Sequence, residues 1–158
     1  QVYSEDIDKP GVMNSNLGMY RVQMGGNDYL KNKEIGLHYQ IHRGIGVHQT
    51  KSNKHGHPLK VSIFVGGPPS HTLAAVMPLP EGMSELTFAG IMGGRNFRYC
   101  VSDGYVLSTD ADFVICGEIN AGARYNKVRS DRSSVYSNNK NDLGLSWRRF
   151  VKQRWRSW

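Results

Sequence analysis

Two short segments of alternating residues, separated by turn-forming residues, most constrain how this chain can fold. Residues 19–24 alternate between two faces and place Arg21 on the polar one, and residues 37–42 alternate in the same way. A period of two is typical of a half-buried β-strand. The pattern therefore predicts two strands that direct polar side chains into one cleft. The polar side chains of the second strand are His38, Gln40 and His42.

The chain from residue 44 to residue 121 is predicted to contain further strands with short helices between them. Ser70 and Ser84 stand where they could cap two helices, and a short surface helix is predicted to end at Gly56. The predicted fold class is therefore mainly β with short α-helices (α+β). The predicted strands in this part of the chain cover residues 61–65, 97–101, 105–107 and 112–119.

A chain of 158 residues can bury a core of its own, and 39% hydrophobic with 21% charged residues is ordinary for a soluble globular domain. No apolar run approaches the roughly 20 residues that cross a bilayer, and residues 1–9 lack the features of a signal peptide. A cytoplasmic location is therefore expected. Cys100 and Cys116 lack the spacing of a metal site, so both are predicted to be reduced and buried.

The formal net charge of +7 arises from the C-terminal part of the chain. Residues 1–121 contain ten Lys or Arg and eleven Asp or Glu, whereas residues 122–158 contain ten Lys or Arg and two Asp. A surface that binds nucleic acid carries clustered positive charge. Nucleic acid is therefore not an expected partner of residues 1–121, and binding through the basic tail is kept as an alternative.

Four separated blocks of this sequence occur in the order and with spacing similar to those of a known family. They are residues 16–21 (NLGMYR), 38–44 (HYQIHRG), 78–80 (PLP) and 84–90 (SELTFAG). Together they resemble the UbiD family of prenylated-FMN-dependent decarboxylases, the 3-octaprenyl-4-hydroxybenzoate carboxy-lyase-like proteins, over roughly residues 10–121. The resemblance implies a flavin-binding split β-barrel, which is the middle domain of those proteins.

The resemblance implies a metal site at Asn16, His42 and Glu85. An amide oxygen, an imidazole nitrogen and a carboxylate oxygen form a mostly hard ligand set, which suits Mn²⁺ or Mg²⁺. Spacing alone does not distinguish these three residues from ordinary surface polar residues. In the family, the residues at these positions bind the metal that bridges to the flavin phosphate.

The resemblance also implies a catalytic role for Arg21, which would bind the substrate carboxylate beside the flavin. A guanidinium can hold a carboxylate through two hydrogen bonds, which a lysine cannot imitate. A solvated salt bridge is the alternative for Arg21, and strand packing is the alternative for His38 and Tyr39. The residues that match flavin-lining positions are Met19, Tyr20, Arg21, His38, Tyr39, Gln40, Arg43 and Gly44.

Other histidines resemble a metal-binding tract only superficially. His48, His55 and His57 neither share one helix face nor bring a fourth soft ligand, so a solvated loop is predicted for them. His71, at a predicted helix start, is also expected to be solvated.

The chain departs from the family pattern after Glu118. The family carries there a Glu-Gly-Pro segment with two acids, one that partners the arginine and one that donates the proton, and this chain has neither. We therefore divide it into a family-like middle domain at residues 1–121, which would be incomplete, and a basic divergent tail at residues 122–158. Disorder and a frameshift are two hypotheses for the tail, which is predicted not to complete the barrel. Glu118 itself is expected to be structural.

The function implied by the resemblance is the non-oxidative decarboxylation of an aromatic or α,β-unsaturated carboxylic acid with prenylated FMN. The chain looks like the middle of such an enzyme and is expected to be inactive alone. The partner would be a small carboxylic acid, and complete family members are expected to form homo-oligomers. A polyprenyl aromatic substrate, as in ubiquinone biosynthesis, would add association with a membrane surface. The alternative is a non-catalytic remnant that keeps part of the flavin and metal site.

Overall fold

The computed structural model describes residues 1–25, 29, 33–80 and 83–122, together with the backbone of residues 142–152. Within these ranges the chain forms nine strands and three α-helices, with a 3-10 turn at Val12–Asn14. The strands are β1 (Val2–Glu5), β2 (Ser15–Gly18), β3 (Arg21–Gln23), β4 (Glu34–His38), β5 (Leu59–Val65), β6 (Tyr99–Ser102), β7 (Tyr105–Ser108), β8 (Phe113–Ile119) and β9 (Asp142–Lys152). The helices are α1 (Gly44–His55), α2 (Pro69–Val76) and α3 (Glu85–Gly93).

Seven of the strands form one sheet in the order β2-β1-β5-β8-β9-β4-β3, and β6 and β7 form a separate hairpin. Every neighbouring pair in the large sheet is antiparallel. The prediction of a mainly β fold with short helices is therefore confirmed. The described residues do not form a closed barrel, because β2 and β3 remain the two edges of the sheet.

The two edges of the sheet nevertheless lie close together. β2 ends at Gly18 and β3 begins at Arg21, so only Met19 and Tyr20 connect them. Three consecutive Cα–Cα steps span at most about 11 Å. The sheet must therefore curl until its edge strands approach each other, and the connecting residues lie at the seam between them.

The strand predicted across residues 19–24 is wrong at this seam, because β3 begins only at Arg21. The backbone N–H of Met19 donates to the carbonyl of Ala75 at 3.2 Å rather than to a neighbouring strand. Gly18 provides the space for the turn, because a Cβ there would lie 2.5 Å from the ring of Tyr20. Contact with the end of α2 thus breaks the strand, and alternation in sequence carries no signal of such a contact.

The second predicted strand ends earlier than the alternation of residues 37–42 indicates. β4 stops at His38, and the N–H of Arg43 donates to the carbonyl of Gln40 at 3.0 Å in a turn. This turn leads directly into α1, which ends, as predicted, at Gly56 in a left-handed conformation. Gln40 and His42 therefore belong to the loop before a helix rather than to a strand face.

The two faces of the sheet cover two apolar clusters. The cluster under α1 contains Ile35, Leu37, Ile45, Leu59, Val61, Ile63, Ile115 and Ile119, with Val2 at its margin. The cluster under α2, α3 and the hairpin contains Tyr3, Leu17, Phe64, Leu86, Tyr105, Val106, Leu107, Ala111, Val114 and Cys116.

None of the helices in the described ranges is long and apolar enough to span a membrane. Both cysteines are free, but the prediction that both are buried is wrong because Cys100 is exposed.

The two predicted serine caps have different outcomes. The hydroxyl of Ser84 accepts the N–H of Leu86 at 3.2 Å, and Gly94 ends α3 in a left-handed conformation, as expected. Ser70 does not cap α2, because Pro69 already occupies the first turn. A proline is well suited to that position, since its missing N–H would have no helical partner there.

The tail is predicted not to complete the barrel, and residues 142–152 nevertheless form a strand of the large sheet. β9 pairs with β8 on one side and with β4 on the other, so it lies inside the sheet and not at its margin. Strand pairing depends on two open edges that come from distant parts of the chain, and the period of the tail itself gives no such information. The predictions for residues 123–141 and 153–158 concern segments outside the described residues, and the domain boundary at residue 121 stays a prediction.

Candidate functional site

The site is built around the first turn of α1. The side chain of Asn16, on β2, lies directly against Gly44, the first residue of the helix. A Cβ on Gly44 would overlap the amide oxygen of Asn16, so the absence of a side chain here lets Asn16 approach the helix in this conformation. The N–H groups of a first helical turn have no helical partners and favour an acceptor oxygen. The amide oxygen of Asn16 therefore lies at a favourable place.

Tyr20 connects Asn16 to the same helix end. The amide nitrogen of Asn16 donates to the Tyr20 hydroxyl oxygen at 3.3 Å, and the backbone N–H of Ile45 lies within hydrogen-bonding reach of that oxygen. The Tyr20 ring meets the ring of Tyr39 edge-on at 6.1 Å, and the Tyr39 hydroxyl donates to the Gln49 side chain at 2.6 Å. These contacts attach the seam between the edge strands to α1.

Glu85 is the first residue of α3, and its side chain reaches the backbone of β2. One carboxylate oxygen accepts the backbone N–H of Leu17 at 3.4 Å, so Glu85 contacts the residue next to Asn16. Burial raises the pKa of the Glu85 carboxyl above its usual range, and the hydrogen bonds to backbone N–H groups oppose this rise. Burial also raises the pKa of Tyr20, and the negative charge of Glu85 adds to that effect. A half-buried carboxylate of this kind would gain stability from a cation.

His42 and Arg43 occupy the loop that enters α1, and both side chains are exposed. His42 is two residues before Gly44, so its Cα lies within about 7 Å of the Gly44 Cα. The fold thus brings Glu85 to the backbone of Leu17, the residue after Asn16, and His42 lies two residues before Gly44. Within the described ranges, no group of three or more His, Cys, Asp or Glu side chains is arranged to hold a metal. The candidate set differs from such a group because one of its three members is an amide.

Arg21 begins β3 on the other side of the seam and pairs in register with His38 of β4. Its side chain is exposed, and it makes no ion pair with another residue of the described ranges. The solvated salt bridge that was the alternative for Arg21 is therefore not seen among these residues. Gln40 and Tyr39 follow β4 and lie next to this pair in sequence. Arg21 is thus an exposed cationic side chain at the start of β3.

An apolar surface near the seam was missed by the sequence analysis. The hydrogen bond between Met19 and Ala75 brings the end of α2 to the seam, where Met19, Val76 and Met77 are 45%, 56% and 47% exposed. Apolar side chains left exposed beside polar residues are typical of a binding surface. Their only sequence signal was an apolar helix end before Pro78, which equally predicts a buried residue.

Two of the four histidines assigned to solvated loops are buried instead. His48 lies on the inner face of α1, where one ring nitrogen is 3.0 Å from the Ser4 hydroxyl, and His71 packs against the ring of Phe97 with centroids 4.7 Å apart. Burial lowers the pKa of both imidazoles. His55 and His57 are exposed, as predicted.

The comparison with known proteins gives a consistent family assignment. Residues 1–140 match the family model UbiD, 3-octaprenyl-4-hydroxybenzoate carboxy-lyase Rift-related domain. A 4-hydroxybenzoate decarboxylase subunit of Chlamydia pneumoniae is 39% identical over 125 residues, which are 78% of this chain and 20% of that protein. An uncharacterized Helicobacter pylori protein is 37% identical over 122 residues, which are 76% of this chain and 18% of that protein. The chain thus spans about one fifth of these relatives.

Solved structures share the fold at lower sequence identity. Vanillic acid decarboxylase of Sedimentibacter hydroxybenzoicus in closed form matches with a TM-score of 0.76 and 22% identity, over 96% of this chain and 32% of that one. The UbiD-class enzyme HmfF from Pelotomaculum thermopropionicum in complex with FMN matches with a TM-score of 0.75 and 21% identity, over 97% of this chain and 33% of that one. An evolved dimeric form of HmfF with prFMN gives a TM-score of 0.76 at 20% identity, over 97% of this chain and 34% of that one.

The family match covers well over half of the chain, and the Chlamydia pneumoniae decarboxylase relative is 39% identical to it. The antiparallel sheet and the short helices are those of UbiD-class structures. The chain therefore belongs to the UbiD family and is a domain related to the decarboxylases of that family.

Proposed function

We propose that this chain forms the cofactor- and metal-holding part of a UbiD-type carboxy-lyase. Such an enzyme removes a carboxylate as CO₂ from an aromatic or α,β-unsaturated acid without net oxidation, using prenylated FMN. The name of the Chlamydia pneumoniae relative includes 4-hydroxybenzoate decarboxylase, and two structural neighbours contain FMN or prFMN. These names support the class of reaction and of cofactor.

The observation that carries the proposal is the meeting of Asn16, Glu85 and the first turn of α1. The Asn16 amide oxygen lies against Gly44, and the Glu85 carboxylate accepts the backbone N–H of Leu17, the next residue along β2. Two residues that are distant in sequence would thus offer oxygen ligands near the positive end of a helix. A helix N-terminus favours a phosphate, and a divalent cation can bridge a phosphate to carboxylate and amide oxygens.

The donor set fits a hard divalent cation. Asn16 and Glu85 would supply oxygen ligands, and His42, on the exposed loop close to Gly44, would supply a nitrogen. The raised pKa of Glu85 fits this proposal, because a half-buried carboxylate without a cation partner favours its neutral form. Mn²⁺ is our first candidate, and Mg²⁺ is the second.

The flavin would lie at the seam between β2 and β3, so we propose that the curled sheet is a split barrel of the FMN-binding type. Met19, Val76 and Met77 would offer an apolar wall to the ring system, and Arg43 and Gly44 would face its phosphate. The further residues carried over to this surface are Tyr20, His38, Tyr39 and Gln40. When bound, prenylated FMN supplies the electron sink that receives the electron pair as CO₂ leaves.

Arg21 would bind and orient the substrate carboxylate. It is exposed at the start of β3, next to Tyr20 at the seam, with no ion-pair partner in the described ranges. Its guanidinium can hold both carboxylate oxygens and so fix the bond that breaks. Arg21→Ala should therefore weaken binding of the acid and leave Mn²⁺ binding unchanged.

The isolated chain is proposed to bind cofactor and not to turn over substrate. Protonation of the product carbon needs a positioned acid, and general acid catalysis is worth about 100- to 10,000-fold. The two acids of the family pattern are missing from the sequence after Glu118. Glu118 itself accepts a hydrogen bond from the Tyr105 hydroxyl at 3.1 Å, which fits the structural role expected for it.

The test is to measure binding of FMN and prenylated FMN to the chain with and without Mn²⁺. We expect binding that requires Mn²⁺ and is lost in Asn16→Ala, while Asn14→Ala, at an exposed asparagine of the 3-10 turn, behaves as the wild type. No binding by the folded wild-type chain would contradict the proposal.

The same samples are then incubated with hydroxybenzoic and cinnamic acids. CO₂ release that disappears in Arg21→Ala would refute the predicted inactivity and would implicate another acid.

A further inference from the structure

Tyr20 contacts both Asn16 and the start of α1 through its hydroxyl group. Its hydroxyl oxygen accepts from the Asn16 amide nitrogen at 3.3 Å and lies within reach of the Ile45 N–H. Its ring packs over Gly18, where a Cβ would lie 2.5 Å from it. The Tyr20 hydroxyl thus connects the seam between β2 and β3 to the side chain of Asn16.

We infer that Tyr20 is a positioning residue that fixes the orientation of the Asn16 amide, so that the amide oxygen rather than the nitrogen faces the cation. This inference rests on the metal site that is proposed above. It assigns no chemical step to Tyr20, which acts on the cation only through Asn16.

The physical basis is the asymmetry of an amide. A hard cation binds the oxygen of an asparagine and not its NH₂ group, yet the two ends have almost the same shape. Rotation by half a turn would place the NH₂ group against Gly44 and repel a cation there. With the nitrogen bound to Tyr20, the amide oxygen of Asn16 lies against the first turn of α1, where the free N–H groups favour an acceptor oxygen.

The phenol can perform this role because it is itself firmly held. The ring of Tyr20 meets Tyr39 edge-on at 6.1 Å, and the Tyr39 hydroxyl donates to Gln49 at 2.6 Å. Gln49 is only 7% exposed on α1. The position of the Tyr20 hydroxyl is therefore set by the same helix whose first turn faces the amide oxygen. Loss of a partner that orients a metal ligand typically weakens metal affinity about 10- to 100-fold.

The first measurement is Mn²⁺ binding to the whole 158-residue chain, followed by electron paramagnetic resonance of free Mn²⁺. We expect Tyr20→Phe to weaken binding about 10- to 100-fold, because the ring remains while the hydroxyl is lost. The matched control is Tyr3→Phe, which removes the hydroxyl of another buried tyrosine, bonded to Glu5 at 2.8 Å. Thermal melts verify that each variant is folded. Unchanged affinity in folded Tyr20→Phe would overturn the inference.

A second pair of variants separates orientation from general support. In Asn16→Asp, both terminal atoms are oxygens, so rotation of the group no longer matters. Tyr20→Phe should then cause no loss of Mn²⁺ affinity in the Asn16→Asp background. An equal loss in both backgrounds would show that Tyr20 only supports the structure, and the inference would be wrong.

A third measurement needs no metal. The side-chain NH₂ resonances of Asn16, identified by their absence in Asn16→Asp, should shift in Tyr20→Phe and not in Tyr3→Phe. Shifted resonances together with a wild-type chain that binds no Mn²⁺ would support the hydrogen bond and contradict the proposed metal site. Unshifted resonances would overturn the positioning role whatever the metal result.

Discussion

The two halves of the large sheet differ in how they are held together. In the first half, β2, β1, β5 and β8 pair over core residues of the first 121 positions, and α2 and α3 pack against the same half. In the second half, the strand pairing of β4 and β3 reaches the first half only through β9, which comes from the basic tail, although Ile35 and Leu37 of β4 also pack in the cluster under α1. One half is therefore built from segments with clear local patterns, and the other depends on a distant strand.

The candidate site lies across both halves. Asn16 is on β2 and Glu85 begins α3, so these metal candidates belong to the first half. Arg21, on β3, belongs to the second half, and Tyr20 lies between them at the seam. The cation would then bind to the first, more stable half of the sheet, and the substrate carboxylate would bind to the second, less stable half. Substitutions confined to one half of the sheet should therefore change the binding of either the cation or the carboxylate, but not of both.

The largest effect is expected from removal of the tail after Gly122. β9 pairs with seven residues of β8 and five of β4, and backbone hydrogen bonds contribute about 1 kcal/mol each. Their loss is comparable to the whole stability of a small domain, about 5–15 kcal/mol. We expect the truncated chain to lose its cooperative thermal transition, as followed by circular dichroism.

A matched control for this truncation removes only residues 153–158, beyond β9, and should leave the transition in place. If the chain truncated after Gly122 melted like the full chain, β9 would not be an essential part of the sheet. The tail would then be dispensable, as its own sequence pattern indicates.

Gly44→Ala should have the next largest effect, and that effect should be on binding. The new methyl group would occupy the place of the Asn16 amide oxygen, so the side chain must rotate away from α1. Overpacking typically lowers the free energy of unfolding by about 1–3 kcal/mol, and the better helix propensity of alanine offsets about 1 kcal/mol of this loss. We expect loss of most Mn²⁺ affinity with a small change in melting temperature, measured by titration and calorimetry.

The control for Gly44→Ala is Gly25→Ala, where an added Cβ would meet no atom within 4 Å. Gly25 follows β3 in the second half, so its substitution also tests whether the two halves respond independently. Retained Mn²⁺ affinity in Gly44→Ala would mean that the contact with Asn16 does not shape the metal site.

Stability should decrease when the pH falls below about 6.5, the ordinary pKa of histidine. Burial lowers the pKa of His48 and His71, although the Asp6 charge partly opposes this for His48. The unfolded chain then binds more protons than the folded one, so stability is full above pH 6.5 and is lost as the pH falls towards the folded pKa values. Each unit of depression corresponds to about 1.4 kcal/mol.

The measurement is the melting temperature between pH 7.5 and pH 5.5. His48→Gln, which can still bond to Ser4, should flatten the pH dependence, whereas His57→Gln, at an exposed site, should not. If the melting temperature depended on pH equally in both variants, protonation of His48 would not account for the loss of stability at low pH.

Local signals in the sequence predicted the elements that local physics determines. Ser84 and Gly56 mark helix ends because capping is decided within a few residues, and both predictions hold. The break at Met19 and the burial of His71 depend on Ala75 and Phe97, which no local pattern identifies. The pairing of β9 has the same character. Long-range contacts therefore limit prediction of the second half more than of the first.

The candidate site was accessible to sequence analysis only through the family resemblance. Spacing alone did not connect Asn16 on β2 with Glu85 on α3, and the roles of these residues stay predictions. The alternation that placed Arg21 on a polar face was correct about its exposure. The contribution of Val76 and Met77 was not predictable, because an apolar helix end normally indicates burial.

The smallest effect is expected from Ser84→Ala, and it should be confined to the first half. The Ser84 hydroxyl accepts the Leu86 N–H at 3.2 Å and so caps the helix that begins with Glu85. Loss of a serine cap costs about 1 kcal/mol, because one buried N–H then lacks its partner. We expect a melting temperature lowered by about 2–8 °C and a modest loss of Mn²⁺ affinity, as the first turn of α3 loosens. Thr87→Ala, at an exposed position of the same helix, should change neither. A loss as large as that caused by removing β9 would mean that the first half is not the more stable part of the sheet.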